Sequence, residues 1–289
     1  MSRSAAILAR ALSCLLLGRA AAAAAAEPAI ELAYRFVPGA VESHRIDSDE
    51  QIEMTSSVVP GLRHRVRSQS RLVLTRRVLS CDADAAALEL SFSQAEGSVD
   101  NGGRERPAAH LEALAKTRIS VRQNIRGEYS EARLKDAEAL DPAARGMAEE
   151  FAASLSRSAL VFPGRPLAAG ERWEVRRSIR LPIPGAEDFE AQWTVAYRLS
   201  ELPASPGGEA LIQAEFGADV DENRGRDGAI LSTRIQASGT GEFRFRPDTG
   251  RLVSGRFELT VAGEIRRGDG GPEISHRVTM KLGSETKAL

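Results

Sequence analysis

The sequence contains few of the residues that build reactive, redox or metal centres. It has two cysteines and four histidines among 289 residues, and aromatic residues make up 5% of the chain. No two histidines have the spacing of paired zinc ligands, and none adjoins a cysteine. Aromatic residues this sparse do not form the stacking platform that single-stranded nucleic acid requires. We therefore expect neither a metal site nor a nucleic-acid interface.

Motifs of catalytic sites are also absent from the sequence. There is no G-x-S-x-G nucleophile elbow, no S-x-x-K motif with its partner motifs, and no glycine-rich phosphate loop between a strand and a helix. An enzyme would have to gather a scattered site around His44, His64, His110 or His276. We expect a protein that is not an enzyme and that holds no cofactor.

The N-terminus has the pattern of an export signal. Arg3 and Arg10 supply positive charge, the short apolar stretch 11–17 follows, and an alanine run ends before Glu27. A basic start, an apolar core and small residues before a polar break are typical of a cleaved secretory signal, which we place at residues 1–26. The leucine-rich part is shorter than the roughly 20 residues that span a bilayer. We expect export to the periplasm or the cell exterior, as a soluble mature chain without a transmembrane segment.

The charge of the mature chain argues against an anionic polymer as its partner. Lys and Arg number 39 and Asp and Glu 40, and three of the arginines lie within residues 1–26. The mature chain therefore carries four more acidic than basic residues, whereas phosphate-backbone binding needs a positive excess. Its one cysteine, Cys81, has no partner for an internal disulfide.

Apolar and polar residues alternate through most of the mature sequence. The stretches 173–179, 193–199, 257–265 and 274–282 each place apolar side chains at every second position. Such alternation predicts half-buried strands of an antiparallel sheet with one wet face. The other predicted strands are 31–37, 41–54, 66–80, 87–96, 117–126, 210–220, 230–246 and 251–267.

Two local signals interrupt this pattern. Pro247, Asp248 and Gly250 are typical of a tight turn and predict a hairpin. A helix is predicted over 141–157, since Asp141 is a suitable N-cap and Pro142 suits the first helical position.

Along that helix, Met147, Phe151 and Leu155 recur at four-residue steps and form an apolar stripe. The stripe has two interpretations. The helix packs over one end of a sheet core, or it is a lid whose three apolar side chains face a ligand.

The two sides of this helix have a similar order of strands and loops. We predict a mainly β fold in a single domain, 27–289, with related meander halves at 27–135 and 160–289 joined by the helix 141–157. Two architectures fit this pattern, an antiparallel β-sandwich and a partly open β-barrel.

Three stretches together carry a family resemblance: 34–39, 162–173 and 239–253. They resemble a family of exported bacterial β proteins that is known only as a domain of unknown function. The motifs consist of turn and strand residues, so the resemblance implies a fold and no active site. A more distant analogy, of architecture alone, is the LolA/LolB type of lipoprotein carrier, an open β half-barrel with a helical cover.

Two functional hypotheses follow from these patterns. The first is an exported, non-enzymatic protein of the bacterial cell envelope that binds a lipid or another apolar ligand in a β half-barrel, beneath the helix 141–157. The second is a structural or protein-interaction module with a filled core and no ligand cavity. The sequence identifies no protein partner for either.

Overall fold

The computed structural model describes residues 28–58, 63–115, 117–140, 142–158, 160–180, 190–226, 229–268 and 274–289. The predicted signal 1–26 and the predicted N-cap Asp141 lie outside these ranges. Two helices are described, α1 (Ala109–Leu114) and α2 (Pro142–Ser158), with a 3-10 turn at Ala137–Ala139. The strands are β1 (Ala29–Glu31), β2 (Val41–Ser56), β3 (Arg63–Cys81), β4 (Ala85–Asn101), β5 (Glu105–Pro107), β6 (Arg118–Asn124), β7 (Tyr129–Lys135), β8 (Pro166–Ala168), β9 (Arg172–Arg180), β10 (Glu190–Glu201), β11 (Ala210–Arg226), β12 (Ala229–Arg246), β13 (Arg251–Gly268) and β14 (Ile274–Ala288).

One antiparallel sheet of 12 strands dominates the fold. Eleven of them follow the order β7-β6-β4-β3-β2-β14-β13-β12-β11-β10-β9, and β5 pairs with β4. Strands β1 and β8 form a separate pair. From the central pair β2 and β14, one meander runs outward to β7 and the other to β9, and α2 lies between them in the chain. The mainly β, antiparallel prediction is confirmed.

The hairpin between β12 and β13 forms where the turn residues predicted it. β12 ends at Arg246 and β13 begins at Arg251. Gly250 has a φ of 64°, which a glycine adopts without steric cost.

Alternation gives the large sheet two different faces. Residues that are direct partners on neighbouring strands have their side chains on the same face of a sheet. Once the face of one residue is known, the face of all its cross-strand partners, which form a row across the sheet, is known as well. Leu259 packs against the hydrophobic core, and its partner on β14 is Leu282. We call this core-bearing side the inner face. The opposite, outer face carries charged pairs such as Arg71 and Asp47, whose Nε and Oδ1 atoms lie 2.7 Å apart.

The sheet curls around its inner face. Tyr34 donates its backbone N–H to the Ile125 carbonyl, just beyond β6, at 2.7 Å. Its ring also lies 5.4 Å from that of Phe245 on β12. These strands are six positions apart in the sheet, which corresponds to about 29 Å in a flat sheet. One tyrosine therefore contacts two parts of the sheet that lie six strands apart in its order, so the sheet is curled into a partly open barrel. It is neither a sandwich of two large sheets nor a closed barrel.

A packed core fills one end of this half-barrel. The segments 28–36 and 160–167 cross the inner face there and bring Tyr34 and Phe162 against Phe245. The Tyr34 hydroxyl donates to the Leu160 carbonyl at 3.3 Å, and burial raises the pKa of that hydroxyl far above its usual value. We call this cluster the plug. Its other buried members are Leu32, Leu160, Leu167, Trp173, Trp193, Val195, Tyr197, Leu199, Ala210, Ile212 and Ala214.

The predicted strand 31–37 is wrong beyond its first residue, because the strand there ends at Glu31. The residues after it are extended, but their backbone bonds go to turns rather than to a neighbouring strand. The Tyr34 N–H, for example, bonds the turn after β6. The segment is extended because it threads through the plug.

Helix α2 lies in the gap between the two edge strands. It packs on β7 and also contacts β9 and α1. Ala152 and Leu155 are buried in a cluster with β3, β4 and β6. The Phe151 ring meets that of Phe92 edge-on, with centroids 4.9 Å apart. The helix therefore covers inner-face apolar side chains near the β7 edge.

Candidate functional site

Beyond the plug, the inner face presents apolar side chains that are only half-buried. One row crosses five neighbouring strands through direct cross-strand partners. A second, parallel row runs beside it and ends on β2. Side chains of this kind, at inward positions of an open sheet, form an apolar surface. The first row is Ala237, Val261, Met280, Ile52 and Val66. The second begins at Ile235, which is buried, and continues through the half-buried Gly263, Val278 and Met54.

A cavity of about 870 Å³ lies in the middle of the sheet. Five adjacent strands, β4, β3, β2, β14 and β13, each line it with three consecutive residues. The middle residue of each group of three is on the inner face. These residues, which we call the floor row, are Gly97, Ser70, Ser48, Ser284 and Phe257.

The cavity exists because the floor row is made of small residues. Three serines and a glycine leave space above the backbone, whereas long charged side chains fill the outer face behind them. Gly97 has a further role, since a Cβ there would lie 2.8 Å from Leu111 Cδ1 of α1. The glycine thus allows α1 to pack onto β4 beside the cavity. On the other side, the Phe257 ring lies 5.9 Å from Phe216.

Ion pairs hold the outer face behind the cavity. Arg71 bonds Asp47, and Arg67 Nη2 lies 2.5 Å from Asp49 Oδ2. The hydrogen bonds from these two arginines lower the pKa of both carboxyl groups. Since both arginines are exposed and both carboxylates are in contact with water, the pairs contribute little to stability.

Polar groups on the inner face gather near the floor row. The Ser48 and Ser284 hydroxyls lie 3.3 Å apart. Glu50 is the next inward residue along β2, with Leu282 and Ser68 as its cross-strand partners. Burial raises the pKa of the Glu50 carboxyl. A carboxylate and several hydroxyls thus adjoin an otherwise apolar surface.

A buried charged network lies at the plug end. Arg76 on β3 has a side chain that is 8% exposed, and it pairs with Glu42 on β2. Its Nη1 donates to Gln123 Oε1 at 2.8 Å. The other oxygen of Glu42 accepts from Arg251 Nε at 2.8 Å. This network ties β2, β3, β6 and β13 together between the core clusters.

The predicted ligand-facing residues lie on α2, and the two whose side chains are described, Phe151 and Leu155, are not among the residues that line the cavity. Leu155 is buried against β3, β4 and β6, and Phe151 packs on Phe92. Met147 lies in the same helix, and its side chain is outside the described part of the structure. The ligand-facing role of these three residues remains a prediction.

The histidines are dispersed over the fold. The His44 Nε2 lies 3.2 Å from the Leu252 carbonyl oxygen, and burial lowers the pKa of its ring. His64 and His276 are exposed, and His110 lies in α1. Within the described ranges, no group of three or more His, Cys, Asp or Glu side chains has a metal-binding arrangement.

Helices that could cross a membrane were sought along the same described residues. None of them combines the length and the apolar character that a membrane span requires.

Sequence reasoning missed the floor row and Glu50, although a signal was available. Ser48 and Glu50 occupy the same alternation phase as Ile46 and Ile52, which point inward. Polar residues at inward positions of a strand mark a place where the core is interrupted.

Comparisons with known proteins give structural likenesses at low sequence identity. No family model and no curated protein matches the chain. A lipovitellin structure solved to describe lipid–protein interactions aligns with 86% of this chain at 13% identity and a TM-score of 0.45. The chain covers 25% of that lipovitellin chain, about a quarter of its length. The crystal structure of Pseudomonas aeruginosa OpdQ aligns over 86% of this chain and 99% of its own, at 6% identity and a TM-score of 0.20.

These likenesses are too distant to carry an argument about this chain. Of the resemblance to a family of unknown function, the structure supports one feature, a mainly antiparallel β fold. The analogy to LolA/LolB-type carriers gains no support from the family models or the curated proteins.

Proposed function

We propose that the protein is an exported, non-enzymatic binding protein of the bacterial cell envelope, which holds a lipid or another apolar ligand against the inner face of its half-barrel. The observation that carries this proposal is the cavity of about 870 Å³ in the curled sheet, beside the half-buried apolar rows. Ligand pockets typically have volumes of about 300–1,000 Å³ and combine an apolar lining with a few polar groups. Here the polar groups come from the floor row, and the apolar surface comes from the rows beside it. The N-terminal sequence pattern supports export.

The apolar side chains on the open side of the sheet favour the binding of an apolar molecule. An apolar surface in contact with water raises the free energy of the protein by roughly 25 cal/mol for each Å². A ligand that covers Val261, Met280 and Ile52 would remove that surface from water. The alternative, an interaction module with a filled core, leaves the cavity and the apolar rows without a role.

Binding of a neutral fluorophore tests the proposal. The purified mature chain, titrated with N-phenyl-1-naphthylamine, should give saturable fluorescence with a Kd in the micromolar range. Native mass spectrometry of the freshly purified protein should show co-purified lipid. Absence of both signals would overturn the proposal and favour the interaction module.

Replacing Val261 by Asp should raise the Kd for the fluorophore at least tenfold. The substitution places a carboxylate within the apolar row, and a ligand that covers it costs several kcal/mol of desolvation, where about 1.4 kcal/mol is already tenfold in affinity. Thr260→Asp is the matched control, since Thr260 is exposed on the outer face of the same strand, opposite Lys281.

The control variant should keep the wild-type Kd, and both proteins should retain the circular dichroism of a folded β protein. Equal weakening of binding by the two substitutions would place the fluorophore somewhere other than the inner face.

A further inference from the structure

Glu50 is an unpaired carboxylate within the apolar side of the half-barrel. Its row on the inner face runs Leu259, Leu282, Glu50, Ser68 and Val99. Both ends of that row pack against core clusters, which fixes the inward direction of the glutamate. No described residue forms a hydrogen bond or an ion pair with its side chain. Its neighbours on the outer face differ, since Asp49 is paired with Arg67.

Hydroxyl groups adjoin this carboxylate on two sides. Ser48 precedes it by two residues on β2 and contacts the Ser284 hydroxyl at 3.3 Å. Ser68 is its direct partner on β3, and Ser70 follows in the floor row. Hydroxyl oxygens and a carboxylate are all acceptors, so the group complements a molecule with several N–H or O–H donors.

The charges around the cavity further restrict which hydrogen-bond donors can bind there. The residues of the floor row carry no charge. Arg71 and Arg256, the two arginines among the residues that line the cavity, have side chains on the outer face. Among the described inner-face residues next to the floor row, Glu50 therefore carries the formal charge. A cation placed there gains a charge-assisted hydrogen bond, whereas an anion would be repelled.

We propose that the ligand of this site is an amphipathic amine, whose protonated head group binds Glu50 and the neighbouring serine hydroxyls while its apolar part lies along the row of Val261, Met280 and Ile52. This inference rests on the proposed function and names the ligand class for the same cavity. The distance along the strand is suitable, since Ile52 is two residues from Glu50 on the same face, or about 7 Å.

Three probes with one alkyl chain and different head groups test the inference. Dodecylamine, dodecan-1-ol and dodecanoate should each be titrated at neutral pH, below the concentration at which they form micelles, against bound N-phenyl-1-naphthylamine. The amine should displace the fluorophore at a concentration at least tenfold lower than dodecanoate. In Glu50→Gln, that preference should fall to about twofold or less, while the fluorophore still binds. Glu53→Gln, on the outer face of the same strand and not among the residues that line the cavity, should keep the wild-type preference.

The outcomes separate the two proposals. A wild-type protein that binds the fluorophore but shows no preference for the amine overturns the amine assignment and leaves the proposed function standing. The amine assignment is also overturned, and the proposed function left standing, if Glu50→Gln keeps the preference for the amine, or if dodecanoate or dodecan-1-ol binds more tightly than dodecylamine. Failure of the fluorophore and of all three probes to bind overturns both. Glu50→Gln is nearly isosteric and removes an unpaired charge, so its melting temperature should not fall below that of the wild type.

Discussion

Phe162→Ala should lower the free energy of unfolding by about 3–5 kcal/mol, the range of large aromatic truncations in a packed core. The Phe162 side chain is fully buried in the plug. Its ring centroid lies 5.3 Å from that of Tyr34 and 4.7 Å from that of Phe245. Because Tyr34 packs between the turn after β6 and Phe245 of β12, these neighbours are held from two sides of the curled sheet, and the cavity left by alanine has little freedom to collapse.

Urea denaturation measures this effect, with the fluorescence of Trp173 and Trp193 as reporters within the plug. Val37→Ala is the control, since Val37 is 62% exposed and its truncation should change stability by less than about 0.5 kcal/mol. A loss below about 1 kcal/mol for Phe162→Ala would contradict the close packing of the plug.

The sheet could be predicted from the sequence because its pattern is local. Inward and outward positions of β13 and β14 follow from alternation within each strand, and the turn residues around Gly250 set the hairpin between β12 and β13. The meander order then follows from short connections, since consecutive strands pair in most antiparallel sheets.

The curl and the plug could not be predicted in the same way. Leu32, Tyr34 and Phe36 occupy every second position just as the inward residues of a strand do, because an extended segment inside a barrel also directs every second side chain into the core. Period two thus indicates an extended chain and does not reveal whether a neighbouring strand pairs with it. Helix α1 was missed because six residues give too short a pattern, and its position depends on contact between Leu111 and Gly97.

Only part of the candidate site could be predicted from the sequence. The inward phase of Ser48 and Glu50 is visible along β2, but the neighbouring Ser70 and Ser284 come from strands far apart in the chain. Their assembly into one row depends on the register of β2 with β3 and β14. Sequence reasoning therefore placed the candidate ligand contacts on the helix, at Met147, Phe151 and Leu155, rather than on the sheet.

Glu42→Ala should destabilise the protein by about 3–5 kcal/mol, because it leaves a buried guanidinium without its countercharge. The side chains of Arg76 and Glu42 are 8% and 13% exposed. After the substitution, Gln123 would be the remaining side-chain acceptor for Arg76 among the described residues. Urea denaturation at neutral pH gives the measurement.

Two further variants distinguish a buried charge from lost packing. Arg251→Ala removes the second cation on Glu42, but the Arg251 side chain is 48% exposed and keeps its water, so we expect a loss of less than about 1 kcal/mol. The double variant Glu42→Leu with Arg76→Met removes both charges and should be more stable than Glu42→Ala alone. If the double variant instead lost more stability than Glu42→Ala, the cost would come from shape and not from an uncompensated charge, and the network would be holding the curl by packing.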